Sequence, residues 1–143
     1  MAGYSGTPLV KKLGIKDGFR VAIIGAPRDF LKTLNPLPNN LSVNVRTRQP
    51  LDFALLFVAK ESELKKNFSR LAAKLQANGM IWVAWPKKSS GVATDLTFTN
   101  VQALGLAAGL VDVKICAVDE TWSGLKFVYR LEDRKRRTLN DGR

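Results

Sequence analysis

The chain has 143 residues, one cysteine, no histidine, and 23 lysines and arginines against 12 acids, for a net charge of +11. That length suits a single hydrophobic core, while the missing histidines exclude Ser-His-Asp and Cys-His nucleophile pairs and imidazole acid–base chemistry, and one cysteine with no histidine argues against a zinc site. The basic excess favours nucleic acid, phosphates or acidic surfaces as partners, and no apolar run approaches the roughly 20 residues that cross a bilayer, so a soluble cytoplasmic protein with no membrane partner is expected.

Thr7-Pro8 predicts the start of a short helix, capped by the threonine with proline at its first position, and Gly14-Ile15 closes it. Asp17-Gly18 then turns the chain into a continuously apolar strand, Phe19 to Ala26, expected at the centre of the sheet. Pro27 to Leu34 can form a short helix before the breaker Asn35-Pro36-Leu37-Pro38-Asn39-Asn40. Leu41 to Arg46 alternates as a more exposed strand. Its direction is open, because the short link to the buried strand Phe53 to Ala59 falls below the usual length of a parallel crossover.

Glu61 to Ala77 is the clearest helix, with Leu64, Phe68, Leu71 and Leu75 on one face, acids in its first turn, and Asn78-Gly79 as its stop. Met80 to Trp85 is another buried strand. It stops at Pro86 and empties into Lys87-Lys88-Ser89-Ser90-Gly91, a basic, hydroxyl-rich loop of the kind that binds anions, with Thr94 or Asp95 placed to cap a following helix within Asp95 to Ala108. Two strands follow, Val111 to Val118 and Leu125 to Leu131, joined by the hairpin-like stretch Asp119 to Gly124. Cys116 sits inside the first of them and is read as a core residue. Residues 1–131 are therefore expected to form one domain, followed by a basic, flexible tail at 132–143.

Strands alternating with helices predict an α/β fold: a single Rossmann-like three-layer domain with a mostly parallel sheet of about six strands ending in an antiparallel hairpin. The order of elements in the second half resembles the C-terminal half of the Rossmann-like methyltransferase fold. Three stretches, YSGTPLVKKLGIK at Tyr4 to Lys16, WVAWPKKSSGVATDL at Trp82 to Leu96 and VDETWSGLKF at Val118 to Phe127, resemble a bacterial family of small proteins, domain-of-unknown-function family 3052. The resemblance implies a compact Rossmann-like architecture and assigns no catalytic residue.

In such a sheet the carboxyl ends of the parallel strands meet on one rim, which would gather Gly25 to Asp29, Lys60, Lys87 to Gly91 and Asp119 to Trp122. The ligand-binding candidates there are Arg28, Lys87, Lys88, Ser89, Ser90, Gly91, Asp119 and Trp122, with Trp85 as a second flat face. Against this, the lysines can be solvated, the tryptophans core, and Asp119 and Glu120 caps of the hairpin turn. The turn after the first strand, Gly25-Ala26-Pro27-Arg28, lacks the glycine-rich pattern of nucleotide sites, and Arg46 and Arg48 stand where an acid would hold ribose hydroxyls, so no cofactor is predicted. Lys66, Arg70 and Lys74 form a helical stripe that, with Lys11, Lys12 and Arg134, Lys135, Arg136 and Arg137, could follow a nucleic-acid backbone. The function read from these residues is a non-catalytic domain that binds an anionic ligand, RNA or another macromolecule, including a protein partner. The alternative is a reduced methyltransferase-like enzyme that binds a nucleoside cofactor.

Overall fold

The computed structural model describes residues 7–44 and 49–141. In chain order the elements are α1 (Leu9–Leu13), β1 (Arg20–Ile24), α2 (Phe30–Thr33), β2 (Ser42–Val43), β3 (Leu51–Phe57), α3 (Glu61–Ala72), β4 (Leu75–Pro86), α4 (Phe98–Ala107), β5 (Leu110–Ala117), β6 (Trp122–Tyr129) and α5 (Leu131–Asp141). The six strands form one sheet in the order β2-β1-β3-β4-β6-β5. β2, β1, β3 and β4 are parallel, and β6 runs antiparallel to both β4 and β5. The predicted α/β domain with a closing hairpin is thus observed, although β3 and β4, rather than β1, lie at its centre.

Helices cover both faces, because the inner strands are apolar on both. Ala54, Leu56, Ile81, Val83 and Phe127 face one core with Leu64, Phe68 and Leu71 of α3 and Val101 of α4. Val21, Phe53, Leu55, Trp82 and Ala84 face the other, with Val10 and Leu13 of α1 and Phe30 of α2. Trp82 is fully buried there, and its indole Nε1 donates to the carbonyl of Leu13 at 2.8 Å. That bond fixes α1 to the sheet at the point where a helix end has carbonyls to satisfy.

β2 is parallel to β1, which settles its direction. Val43 and Phe53 lie level on either side of Val21, so the chain need not climb the sheet between them, and a link shorter than an ordinary crossover suffices. Arg46 and Arg48 lie outside the described residues. Just after β2, Asn44 occupies the left-handed region at φ 54. Its side chain accepts from Ile23 N at 2.7 Å and donates to Ile23 O at 3.1 Å.

Several local expectations are corrected. Pro8, not Thr7, is the N-cap of α1, and no side chain caps it. α3 ends at Ala72, five residues before the predicted stop at Ala77, because Leu75 pairs with Leu51 as the first residue of β4. Asn78-Gly79 therefore forms an irregularity inside a strand, where a Cβ on Gly79 would meet Leu51 O at 3.0 Å. The connection between β5 and β6 is shorter than expected, since β6 already begins at Trp122. The expected flexible tail is instead helical in α5, which lies against the start of β4. Arg137 donates to the carbonyls of Ala73 and Leu75 and lies 4.2 Å from the centre of the Tyr129 ring, and Arg134 Nε donates to Tyr129 O at 2.8 Å.

Candidate functional site

The strand order reverses on either side of β1, with β2 on one flank and β3 on the other. In open α/β sheets this is where a ligand crevice forms, at the carboxyl ends of the strands. The turn after β1 is shaped by that position. Gly25 has φ +73, and a Cβ there would lie 2.7 Å from Phe57 O at the end of β3. Glycine is needed because two backbones touch, so this side of the switch point is closed. Phe57 continues the closure: its ring is edge-on to Phe30 of α2 at 4.9 Å and to Trp122 of β6 at 5.1 Å. Trp122 is thus a packing partner in an aromatic row just beneath the rim, while Trp85 is buried in the core on the opposite face.

On the other flank the rim is open. A cleft of about 480 Å³ lies between the ends of β1 and β2 and is roofed by α2. Its walls are Ile23, Val43, Phe30 and Leu31, with Ala26 and Pro27 from the turn. Asp29, Lys32 and Asn44 supply its polar groups; Asp29 sits at φ 67 and pairs with Lys32 at 3.5 Å. Both partners of that pair are well exposed, so the carboxylate remains accessible to a ligand and the pair itself contributes little stability. The sequence places Asp29 on this rim but does not single it out as a ligand-binding residue; its signal is its position two residues after Pro27, beyond an apolar strand.

The loop after β4 is more committed to its own structure than its composition predicted. Lys88–Ser90 forms one 3-10 turn, Ser90 Oγ donates to Lys87 O, and Val92 N donates back to Ser90 Oγ. Ser90 N and Gly91 N also bond within the turn, and Lys87 N bonds Thr121 O across to the hairpin. The amides expected to face an anion around Gly91 are therefore already used. Lys88 and Ser89 remain exposed at the rim, and Lys87 is half-buried. Asp119 Oδ1 accepts from Thr121 N and Trp122 N, both at 2.8 Å, so the aspartate closes the hairpin turn.

Neither expected cap of α4 acts there. Thr97 holds α4 in a reciprocal capping box with Asn100. Asp95 Oδ1 instead accepts from Glu61 N at 2.7 Å, capping α3, and Thr94 Oγ1 donates to Ala59 O at 2.6 Å. The loop is thereby tied to the β3–α3 junction. Asp95→Ala should cost about 1 kcal/mol, read in a urea titration, and should increase amide exchange in the first turn of α3 while leaving α4 unchanged.

The basic stripe is divided by the structure. Lys66, Arg70 and Lys74 are exposed on α3 or just after it, on the face opposite α1, so Lys11 and Lys12 do not extend it. Arg70 is engaged by Asn67 at 2.9 Å, Arg136 by Asp133, and Arg134 and Arg137 by main-chain carbonyls. Lys66, Lys74 and Lys135 are the members without such a partner. Cys116 is half-buried; burial raises its thiol above the usual range, opposed by Lys114 and Lys12. Among the described residues no group of His, Cys, Asp and Glu side chains converges to hold a metal, and no helix is long and apolar enough to cross a membrane.

This sheet, parallel strands with one antiparallel strand set between β4 and β5 and helices on both faces, is the Rossmann-like methyltransferase fold. Among the solved structures similar to it are an O-methyltransferase from neocarzinostatin biosynthesis, NcsB1, with S-adenosylmethionine and a naphthoic acid (TM-score 0.60, 12% identity, 79% of this chain and 49% of that one). A SAM-dependent methyltransferase from Aquifex aeolicus matches at TM-score 0.58 and 11% identity over 83% of this chain and 86% of that one. The magnesium protoporphyrin IX methyltransferase of Synechocystis matches at 0.59 and 10% over 85% and 78%. The chain spans about half the length of NcsB1. No family model matches the sequence, and no curated protein matches it.

Proposed function

We propose that the chain is a reduced methyltransferase-like protein that binds a nucleoside cofactor of the S-adenosylmethionine class in the cleft between the ends of β1 and β2. The cleft carries this reading. It lies beside the switch point, its volume falls within the range of roughly 300–1,000 Å³ typical of small-ligand sites, and its walls are apolar with few polar groups. The residues fit the nucleoside in a particular way. Asp29 can accept from ribose hydroxyls, Lys32 beside it can meet a carboxylate, and Leu31, Ile23 and Val43 offer apolar surface to a base. The Asn44 amide is already bonded to Ile23 and is assigned no contact. When bound, such a cofactor supplies an electrophilic methyl group. This chain's own residues hold and orient the nucleoside, and with no histidine the sequence offers no imidazole base for the acceptor.

Calorimetric titration with S-adenosylmethionine, S-adenosylhomocysteine and adenosine tests the proposal. Saturable binding is expected, weakened about tenfold by Asp29→Ala, as for loss of a hydrogen bond to a charged group. Absence of binding by all three compounds removes it. A second reading, a non-catalytic domain that binds an anion at the rim, draws on Arg28, Lys60, Lys87 and Lys88, none of which forms an ion pair among the described residues. It expects phosphorylated compounds to bind and adenosine not to, with binding lost in Lys87→Ala/Lys88→Ala.

A further inference from the structure

The sheet face that carries α1 holds a second, separate concentration of charge. Lys114 of β5 and Lys126 of β6 are direct cross-strand partners. Like charges placed opposite each other on a sheet are destabilising unless something neutralises them. Long side chains could in principle splay apart, but here one is bonded and the other half-buried. Lys114 Nζ donates to Lys12 O at 3.0 Å, at the C-terminal turn of α1. Lys126 is half-buried, and its Nζ lies 4.0 Å from where a Cβ on Gly14 would stand. Lys16, just beyond α1, adds a third ammonium group near Lys126. Burial, followed by the charges of Lys114 and Lys16, lowers the Lys126 pKa from its ordinary value.

Among the described residues no carboxylate pairs with this group. Among the described residues the ion pairs lie at Lys32, Lys65 and Arg136, and Lys16, Lys114 and Lys126 take part in none. The nearest acids along the chain are occupied elsewhere. Asp17 accepts from Asn39 N, and Asp112, across the irregularity at Val113, accepts from Gln102 of α4 on the other face. Lys114 and Lys126 are thus brought together by strand register, Lys114 is tied to α1, and among the described residues the group has no carboxylate counterion.

We propose that Lys16, Lys114 and Lys126 form a nucleic-acid contact surface that takes the phosphodiester backbone of a single strand. Lys11 is exposed on α1 beside them, so positive charge continues along the helix, as an extended polyanion requires. Lysines are point charges without a planar fork, and the neighbouring side chains, Met80 and Cys116, provide no stacking platform. The contact is thus to phosphate and independent of base sequence. It is distinct from the nucleoside cleft, which lies at the rim by β2.

The test is fluorescence anisotropy with a labelled 12-nucleotide RNA of mixed sequence across a salt series, using the full chain. Three phosphate contacts give a log–log salt slope of about −2, so affinity should fall roughly fifteenfold between 50 and 200 mM salt. Lys114→Gln/Lys126→Gln should weaken binding at least tenfold and make the slope shallower by about 1.4. Exposed Lys16→Gln, which touches no packing, should change the slope by about half as much and serves if the double variant folds poorly. Lys66→Gln/Lys74→Gln on the opposite face should leave both quantities unchanged. Equal loss in that control, an unchanged slope in the Lys16 and Lys114/Lys126 variants, or absence of RNA binding at 50 mM salt overturns the proposal. Pyrophosphate binding at these lysines as tightly as the RNA also overturns it, in favour of a small-anion site.

Discussion

Gly105→Ala should lower the stability of the protein by about 3 kcal/mol, seen as a fall in melting temperature of roughly 10 °C. The alanine methyl would stand 2.0 Å from Cε1 and 2.5 Å from Cζ of Phe127. Phe127 has no room to move, since it is fully buried and its ring is edge-on to Phe68 at 5.3 Å. Either α4 lifts from the hairpin or the Phe68–Phe127 pair repacks, and both expose apolar surface. Ala103→Gly, at an exposed position of the same helix, should cost only the ordinary propensity difference of about 1 kcal/mol. A loss for Gly105→Ala no larger than that of Ala103→Gly would mean that α4 does not rest on Phe127 as described.

The second large effect concerns α1. Trp82→Phe removes the indole that donates to Leu13 O and leaves space in a fully buried site, so a loss of about 2–3 kcal/mol is expected. The loss should be uneven. α1 has five residues and is held by Val10, Leu13 and this bond, so its amides should lose protection from hydrogen exchange before those of β3 and β4. Uniform loss across the sheet would show that the indole contributes only volume. Because α1 anchors Lys114 through the carbonyl of Lys12 and leads into Lys16, the same variant should also weaken RNA binding.

The architecture was legible where burial is two-sided. Phe53 to Ala59 and Met80 to Trp85 are apolar at every position because helices cover both faces, and such runs identify inner strands without a partner in view. What escaped detection depends on contacts distant in sequence. The carboxylate of Asp95 looks like a cap for the helix that follows it, yet it serves α3, whose first amide lies 34 positions earlier. α3 continues a helical pattern through Leu75, but pairing of Leu75 with Leu51 draws the chain into β4. The basic C-terminal segment reads as solvated, yet Arg134 and Arg137 reach carbonyls of β6 and of the turn before β4.

The candidate site divides in the same way. Element order alone placed Gly25 to Asp29 and Lys87 to Gly91 on the strand-end rim. It did not reveal that Gly25 and Phe57 close one flank of the switch point and leave open the other, which is lined by Asp29 and not by the lysine loop. Lys16, Lys114 and Lys126 form no motif, and only the register of β5 with β6 and the seating of α1 bring them together.

β2 is only two residues long, so it covers the outer side of β1 through Val21 and would leave Ile23 with an unmatched amide and carbonyl at the margin of the sheet. The carboxamide of Asn44 answers both, standing in for the main chain of a longer strand. The amide and carbonyl of Ile23 are thereby closed to an invading strand. At the far margin, the irregularity at Val113 and the charge of Lys114 discourage the same docking along β5, where Val113 and Ile115 are exposed. At the β2 margin a single amide side chain thus does the hydrogen bonding of a further stretch of strand.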